Sequence, residues 1–96
     1  MLKILKRQNG EEFVELTLIG RIQVDHIYEL RQLIRKEQYR VVLDLREVNL
    51  VDRGAVEFLA ACESDGVVLR NCSPYIREWV TREAALRPPT PTDGES

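Results

Sequence analysis

Residues 41–54 read VVLDLREVNLVDRG. The first five are an apolar run broken by one acid, Asp44, the composition of a strand covered on both faces. A short loop is expected to follow, with Asp52 placed to cap a helix that begins at Arg53. A strand that feeds a helix start through a loop delivers a site to the protein surface. From Arg46 to Ala55 there is no serine, threonine, cysteine or histidine. The segment therefore presents a cation, Arg53, on a surface suited to recognition and without a group for covalent chemistry.

Upstream, residues 2–7 and 12–19 are two strand candidates joined through Asn9-Gly10, a hairpin signal of the type I′ kind. In the second, Val14, Leu16 and Leu18 alternate with Glu15 and Thr17, so one face is buried and the other partly wet. Gly20-Arg21 is expected to end that strand. Asp25 is placed to cap a helix reaching about Gln38, with Ile27, Leu30, Leu33 and Ile34 as its apolar stripe.

Downstream, a helix over residues 53–64 carries Ala55, Phe58, Leu59 and Cys62 at i, i+3, i+4 and i+7. Asp65-Gly66 turns the chain into a short strand at 67–70. Ser73-Pro74 starts a third helix, with serine as cap and proline at the first helical position; Ile76, Trp79 and Val80 form its stripe. The order β-β-α-β-α-β-α implies an α/β fold. It is a small mixed sheet of about four strands, an N-terminal hairpin followed by parallel strands, with three helices packed mainly on one face. Residues 1–86 are expected to form one domain. The segment 87–96 has three prolines and no large apolar residue and is expected to be a disordered tail.

With 96 residues, one core is built and about 60–65% of the unfolded surface is buried. A net charge of −2 gives no electrostatic case for nucleic acid. Cys62 and Cys72 are not arranged as CxxC and have no histidine cluster beside them, which fits reduced thiols in a cytoplasmic protein. The N-terminus lacks a signal-peptide pattern. No apolar run approaches the roughly 20 residues of a bilayer span, so direct membrane insertion is not expected.

Three stretches together resemble a STAS domain, the fold of anti-sigma factor antagonists and of the cytoplasmic tails of sulfate transporters. LTLIGRIQVDHIYELRQLI (residues 16–34) is similar to that family's strand, Gly-Arg corner and first helix. VVLDLREVNLVDRGAVEFL (41–59) is similar to its central strand, its loop ending in Asp-Ser-Ser/Ala-Gly, and its second helix. VVLRNCSPYIREWV (67–80) is similar to the next strand and a Ser-Pro helix start. The resemblance implies a protein-binding module with no cofactor and no enzymatic activity. It implies a partner that is an anti-sigma factor with serine kinase activity or a transporter subunit. Asp52 then matches the family aspartate, and Arg53 the serine that a partner kinase phosphorylates. Gly54 falls on the second small residue and Ala55 on the glycine. Arg53 cannot accept phosphate, so no phosphoswitch is expected there. The helix that follows is also about a turn shorter than the family's.

The candidate partner-binding residues are Asn49, Asp52, Arg53, Gly54 and Glu57. In the first turn of a helix an exposed cation costs roughly 0.3–1 kcal/mol, less if it leans on Asp52 or Glu57. Its planar fork equally suits a partner's carboxylate or phosphate. Other residues read as structural. His26 is a lone, half-exposed histidine, Cys62 a small core residue, and Asp44 a hydrogen-bonding group at a strand end. Trp79 reads as core, and Arg31, Arg35, Lys36 and Arg40 as a solvated basic edge. Binding of a nucleotide or another anionic ligand at Arg53 ranks second, because no Gly-rich phosphate loop is present. An enzyme ranks last, for want of a nucleophile or acid–base pair. The first strand would present a sheet edge, which leaves homodimerisation open.

Overall fold

The structure is a computed structural model that describes residues 2–10 and 12–86; the segment 87–96, expected to be a tail, lies outside the described residues. Strands β1 (Leu2–Asn9), β2 (Phe13–Ile22), β3 (Arg40–Val51) and β4 (Val68–Arg70) alternate with helices α1 (Ile27–Arg35), α2 (Arg53–Ser64) and α3 (Pro74–Leu86). A single 3-10 turn, Val24–His26, precedes α1. The sheet order is β1-β2-β3-β4. β1 is antiparallel to β2, and the other pairs are parallel. This is the α/β architecture with a mixed four-stranded sheet that the element order implied.

The hairpin closes on the pair Asn9 and Phe13, so its connection is one residue longer than a two-residue type I′ turn. Gly10 supplies the positive φ, +71°, that a side chain would resist. In β2, Val14, Leu16 and Leu18 are buried while Phe13, Glu15, Thr17 and Ile19 are half-buried. One face thus meets the helices. On the other, Arg70 of β4 crosses β3 to reach Glu15 at 3.3 Å and the Phe13 ring at 6.0 Å. Val42 is buried although it lies on the face away from the helices, opposite Glu15 in register.

Three expected boundaries are corrected. β2 does not end at Gly20-Arg21 but runs to Ile22, with Gly20 at φ +104° beside a register shift. α1 stops at Arg35 and not near Gln38; its lead-in turn is flanked by Gln23, with Asp25 inside the turn and not capping it. The largest correction concerns residues 46–51, which are strand and not loop. β3 stays paired with β2 to Val51, but two register shifts, opposite 17–19 and 20–21, each insert an extra residue into β3. Such bulges break the two-residue alternation. On the helix-facing side the buried positions run Val41, Leu43, Leu45 and then Val48, Val51, and the three-residue spacing of the last three resembles no strand.

The core lies between sheet and helices. α2 buries Ala55, Val56, Phe58, Leu59, Ala60 and Cys62, a wider face than its four-residue stripe, because it packs against both the sheet and α3. Ser73 Oγ accepts the Ile76 N–H at 3.3 Å at the start of α3. Ile76 and Val80 are buried there, and Trp79 is half-buried against them.

Candidate functional site

The candidate site forms where β3 hands over to α2. Val51 is buried and anchors the strand end. Asp52 is extended (φ −100°, ψ 178°), and its Oδ1 accepts the Ala55 N–H at 2.8 Å, a side-chain cap of α2. Its second oxygen, Oδ2, accepts the Val24 N–H at 2.9 Å, and its own N–H donates to the Ile22 carbonyl at 3.3 Å. One carboxylate therefore ties the start of α2 to the 3-10 turn before α1. Asp52 was expected to touch a partner; both its oxygens are already in use inside the fold.

Gly54 explains how close those two elements come. A Cβ built there would lie 2.8 Å from Val24 Cγ2 and 2.9 Å from its Cβ. The 3-10 turn sits against the first turn of α2 with no room for a side chain between them. His26 holds that turn from behind, its Nδ1 accepting the Gln23 N–H at 3.2 Å.

Arg53 projects outward, its side chain 71% exposed. Its Nε lies 3.2 Å from Glu57 Oε2 and 3.8 Å from Glu83 Oε2. Glu57 is the i+4 acid anticipated as a prop; Asp52 is not. Glu83 was missed. It is a buried carboxylate, 8% exposed, and three residues after Val80 it falls on the apolar stripe of α3, which is the signal that could have found it. Asn49 is exposed at the second bulge of β3. Two further residues bound the site that no sequence motif singled out: Val24, 62% exposed, and Leu50, 49% exposed. Apolar side chains thus stand out from the turn and the strand end that adjoin an arginine on a braced backbone.

The rest of the titratable chemistry is structural. Burial, with Asp65 adding and Arg31 opposing, pushes the Cys62 thiol up to about 12, which suppresses the thiolate. Partial burial also raises Cys72. Partial burial alone would raise the Asp44 carboxyl; hydrogen bonds from the Arg46 N–H (3.0 Å) and the Asn71 amide (3.1 Å), with the charges of Arg46 and Arg70, outweigh it and hold it low. Among the described residues, no group of three or more His, Cys, Asp and Glu is placed to hold a metal ion, and no helix is long and apolar enough to cross a membrane.

By sequence, no protein-family model and no curated protein matches the chain. By structure, it is similar to an anti-sigma-factor antagonist STAS domain from Rhodobacter sphaeroides, at 13% identity and TM-score 0.59, covering 86% of this chain and 90% of the other. The chain has the STAS fold. The anti-sigma factor antagonist SpoIIAA in its unphosphorylated form aligns at 17% identity and TM-score 0.58 over 79% of each chain. An uncharacterised DUF3478 protein with a SpoIIAA-like fold from Shewanella loihica aligns at 13% identity and TM-score 0.55, covering 98% of this chain and 88% of that one. Identities this low carry the architecture alone. The chemistry of the α2 start in this STAS fold has to be judged on its own residues.

Proposed function

We propose that this chain is a non-enzymatic protein-binding module whose partner docks on the α2 start, around Asn49, Leu50, Val24 and Arg53. The observation that carries this reading is the pair of exposed apolar side chains, Val24 against Gly54 and Leu50 at the end of β3, that flank the braced backbone carrying the exposed Arg53. Large apolar groups near a rim cation, on backbone that does not need to reorganise, are the composition of a binding hot spot. In this reading Asp52 and Gly54 shape the surface, and Arg53 with Glu57 meets the partner. The likeness to anti-sigma factor antagonists supports a regulatory partner in the cytoplasm. That partner is an anti-sigma factor with kinase activity or, second, a transporter subunit. Arg53 offers no hydroxyl, so docking is constitutive with respect to phosphorylation at this position.

Nucleotide binding is disfavoured at the same place. Glu57 and Glu83 put two carboxylates beside the arginine, and Asp52 already takes the Ala55 N–H that a phosphate would use. Calorimetric titration with ATP and GTP up to millimolar concentration is expected to give no heat.

The direct test is comparative capture on the immobilised full chain. Wild type and a control variant on α3, Glu78→Lys, should retain the same protein. Arg53→Glu and Leu50→Glu should each lose it by about tenfold, the weight of one hot-spot contact of about 1.4 kcal/mol. Equal retention by all four proteins would remove the α2 start as the docking surface.

A further inference from the structure

The opposite end of α2, about 18 Å away at 1.5 Å per residue, carries a second and different surface. A cleft of 370 Å³ opens between α1 and α2. It continues into one of 410 Å³ below the C-terminal end of α1; the two share Ile34, Asp65 and Val67. The floor is apolar, made by Ile34, Val67 and the edge of Phe58. The rim is cationic, with Arg31 and Arg35 on one cleft and Arg40 on the other, and all three are exposed.

Among the described residues, three arginines without an ion pair converge on this cleft; the guanidinium groups of Arg7, Arg21 and Arg46 also lie beyond 4 Å of any described carboxylate but line neither part of it. Arg53, Arg70, Arg77 and Arg82 each lie within 4 Å of a carboxylate. Among the described residues, none does so for Arg31, Arg35 or Arg40. Arg31 instead lays its guanidinium 5.9 Å from the centroid of Phe58. Arg35, in the last turn of α1, suits the negative end of that helix. The dipole does not account for Arg31, a turn earlier, or for Arg40, at the start of β3. Among the described residues, Asp65 is the one acid lining either cleft.

We infer that this cleft is a second docking surface, for a short amphipathic helical segment of a protein partner that carries carboxylates beside its apolar face. Apolar residues at helical spacing would fill the floor, and acids flanking them would meet Arg31, Arg35 and Arg40. Positive charge around an apolar floor selects for anionic partners and speeds encounter. The cleft is open along its length, which suits a helix laid between two helices more than an enclosed acyl chain. Binding here is independent of the α2 start, so loss at one surface leaves the other intact, and the chain can hold two partners at once.

The probe is a fluorescein-labelled amphipathic helical peptide with leucines on one face and glutamates along both flanks, followed by anisotropy and by amide NMR shifts of the full chain. Saturable, salt-weakened binding is expected, with shifts confined to residues 31–40 and 58–67. Arg31→Glu with Arg35→Glu should weaken it at least about tenfold. A lysine-flanked version of the peptide should ignore wild type and bind the double variant. If the double variant fails to fold by circular dichroism, Arg31→Gln with Arg35→Gln should still weaken binding about threefold. Absence of saturation at millimolar peptide, shifts centred on residues 49–57, or affinity indifferent to both pairs of substitutions would overturn the inference. So would binding to phosphatidylglycerol vesicles with none to the peptide.

Discussion

The two ends of α2 are built on different physics. At its N-terminus a single capping carboxylate ties neighbouring elements together. Asp52 serves two helix starts at 2.8 and 2.9 Å, and Gly54 lets Val24 pack where a Cβ would collide. At its C-terminus α2 is fixed on the α3 side, where Arg77 makes a two-pronged pair with Glu63 at 2.7 and 3.0 Å. On its α1 side it is left open over a cleft. Rigidity at one end comes from directional bonds and a close backbone approach, whereas the other end opens on its α1 side over a cleft rimmed by arginines. Substitutions should therefore cost far more at the first end than at the second.

The largest effect is expected from Asp52→Ala, which removes a helix cap and the carboxylate to which the Val24 N–H donates. A cap is worth about 1 kcal/mol and an unmade hydrogen bond to a charged acceptor about 1.5 kcal/mol, so urea denaturation should show a loss of roughly 2–3 kcal/mol. Asp52→Asn keeps the Ala55 contact and should lose about half of that. A loss below about 0.5 kcal/mol for the alanine variant would break the contrast between the ends.

Gly54→Ala sharpens it. Alanine favours a helix by up to about 1 kcal/mol over glycine, yet here its Cβ would drive Val24 aside. The single variant should gain little or lose stability, and Gly54→Ala with Val24→Gly, which removes both clashing atoms, should be more stable than additivity allows, by about 0.5–1 kcal/mol in a double-mutant cycle. Strict additivity would mean that the turn and α2 are not in close packing.

At the other end, Arg77→Met removes a two-pronged but substantially exposed pair, for which about 0.5–1 kcal/mol is expected at neutral pH. The Arg77 hydrogen bonds hold the Glu63 carboxyl below its ordinary value against the raising effect of partial burial. A depressed folded value contributes stability that is full above the unfolded carboxylate range, near 4.3 for glutamate. That contribution drains as pH falls through the folded value. The deficit of Arg77→Met should thus be present at pH 7 and shrink as pH falls below the ordinary carboxylate range. A deficit constant across that window would show that the pair is not what couples α2 to α3.

The smallest effect on stability belongs to Arg53→Ala. Losing Glu57 and Glu83 as partners is offset by removing a cation from the positive end of a helix, so the change should stay within about 0.5 kcal/mol. The same variant should weaken partner capture, and that split between folding and binding is the signature of a surface residue.

Much of this was legible in the chain. The 53–64 helix, its Asp52 cap, the Ser73-Pro74 start and the burial of Val14, Leu16 and Leu18 follow from rules that act within a few residues. Residues 46–51 did not read as strand because two bulges replace alternation by a three-residue spacing, and a bulge is decided by the neighbouring strand. Glu83 did not read as part of the site because its partner lies 30 positions earlier. Val24 and Leu50 carried no motif at all; they matter through exposure beside Arg53.

The sequence by itself determined the order of the elements, where α2 and α3 start, and that the middle helix opens on a cation instead of a phosphate acceptor. Tertiary structure alone decided that Asp52 joins two helix starts, that Gly54 is a point of contact, and that three arginines with no described carboxylate within 4 Å gather around a cleft. The reason is range: caps and amphipathic stripes are settled by neighbours a turn away, whereas the surroundings of a side chain are settled by whichever distant segments the closed core brings against it.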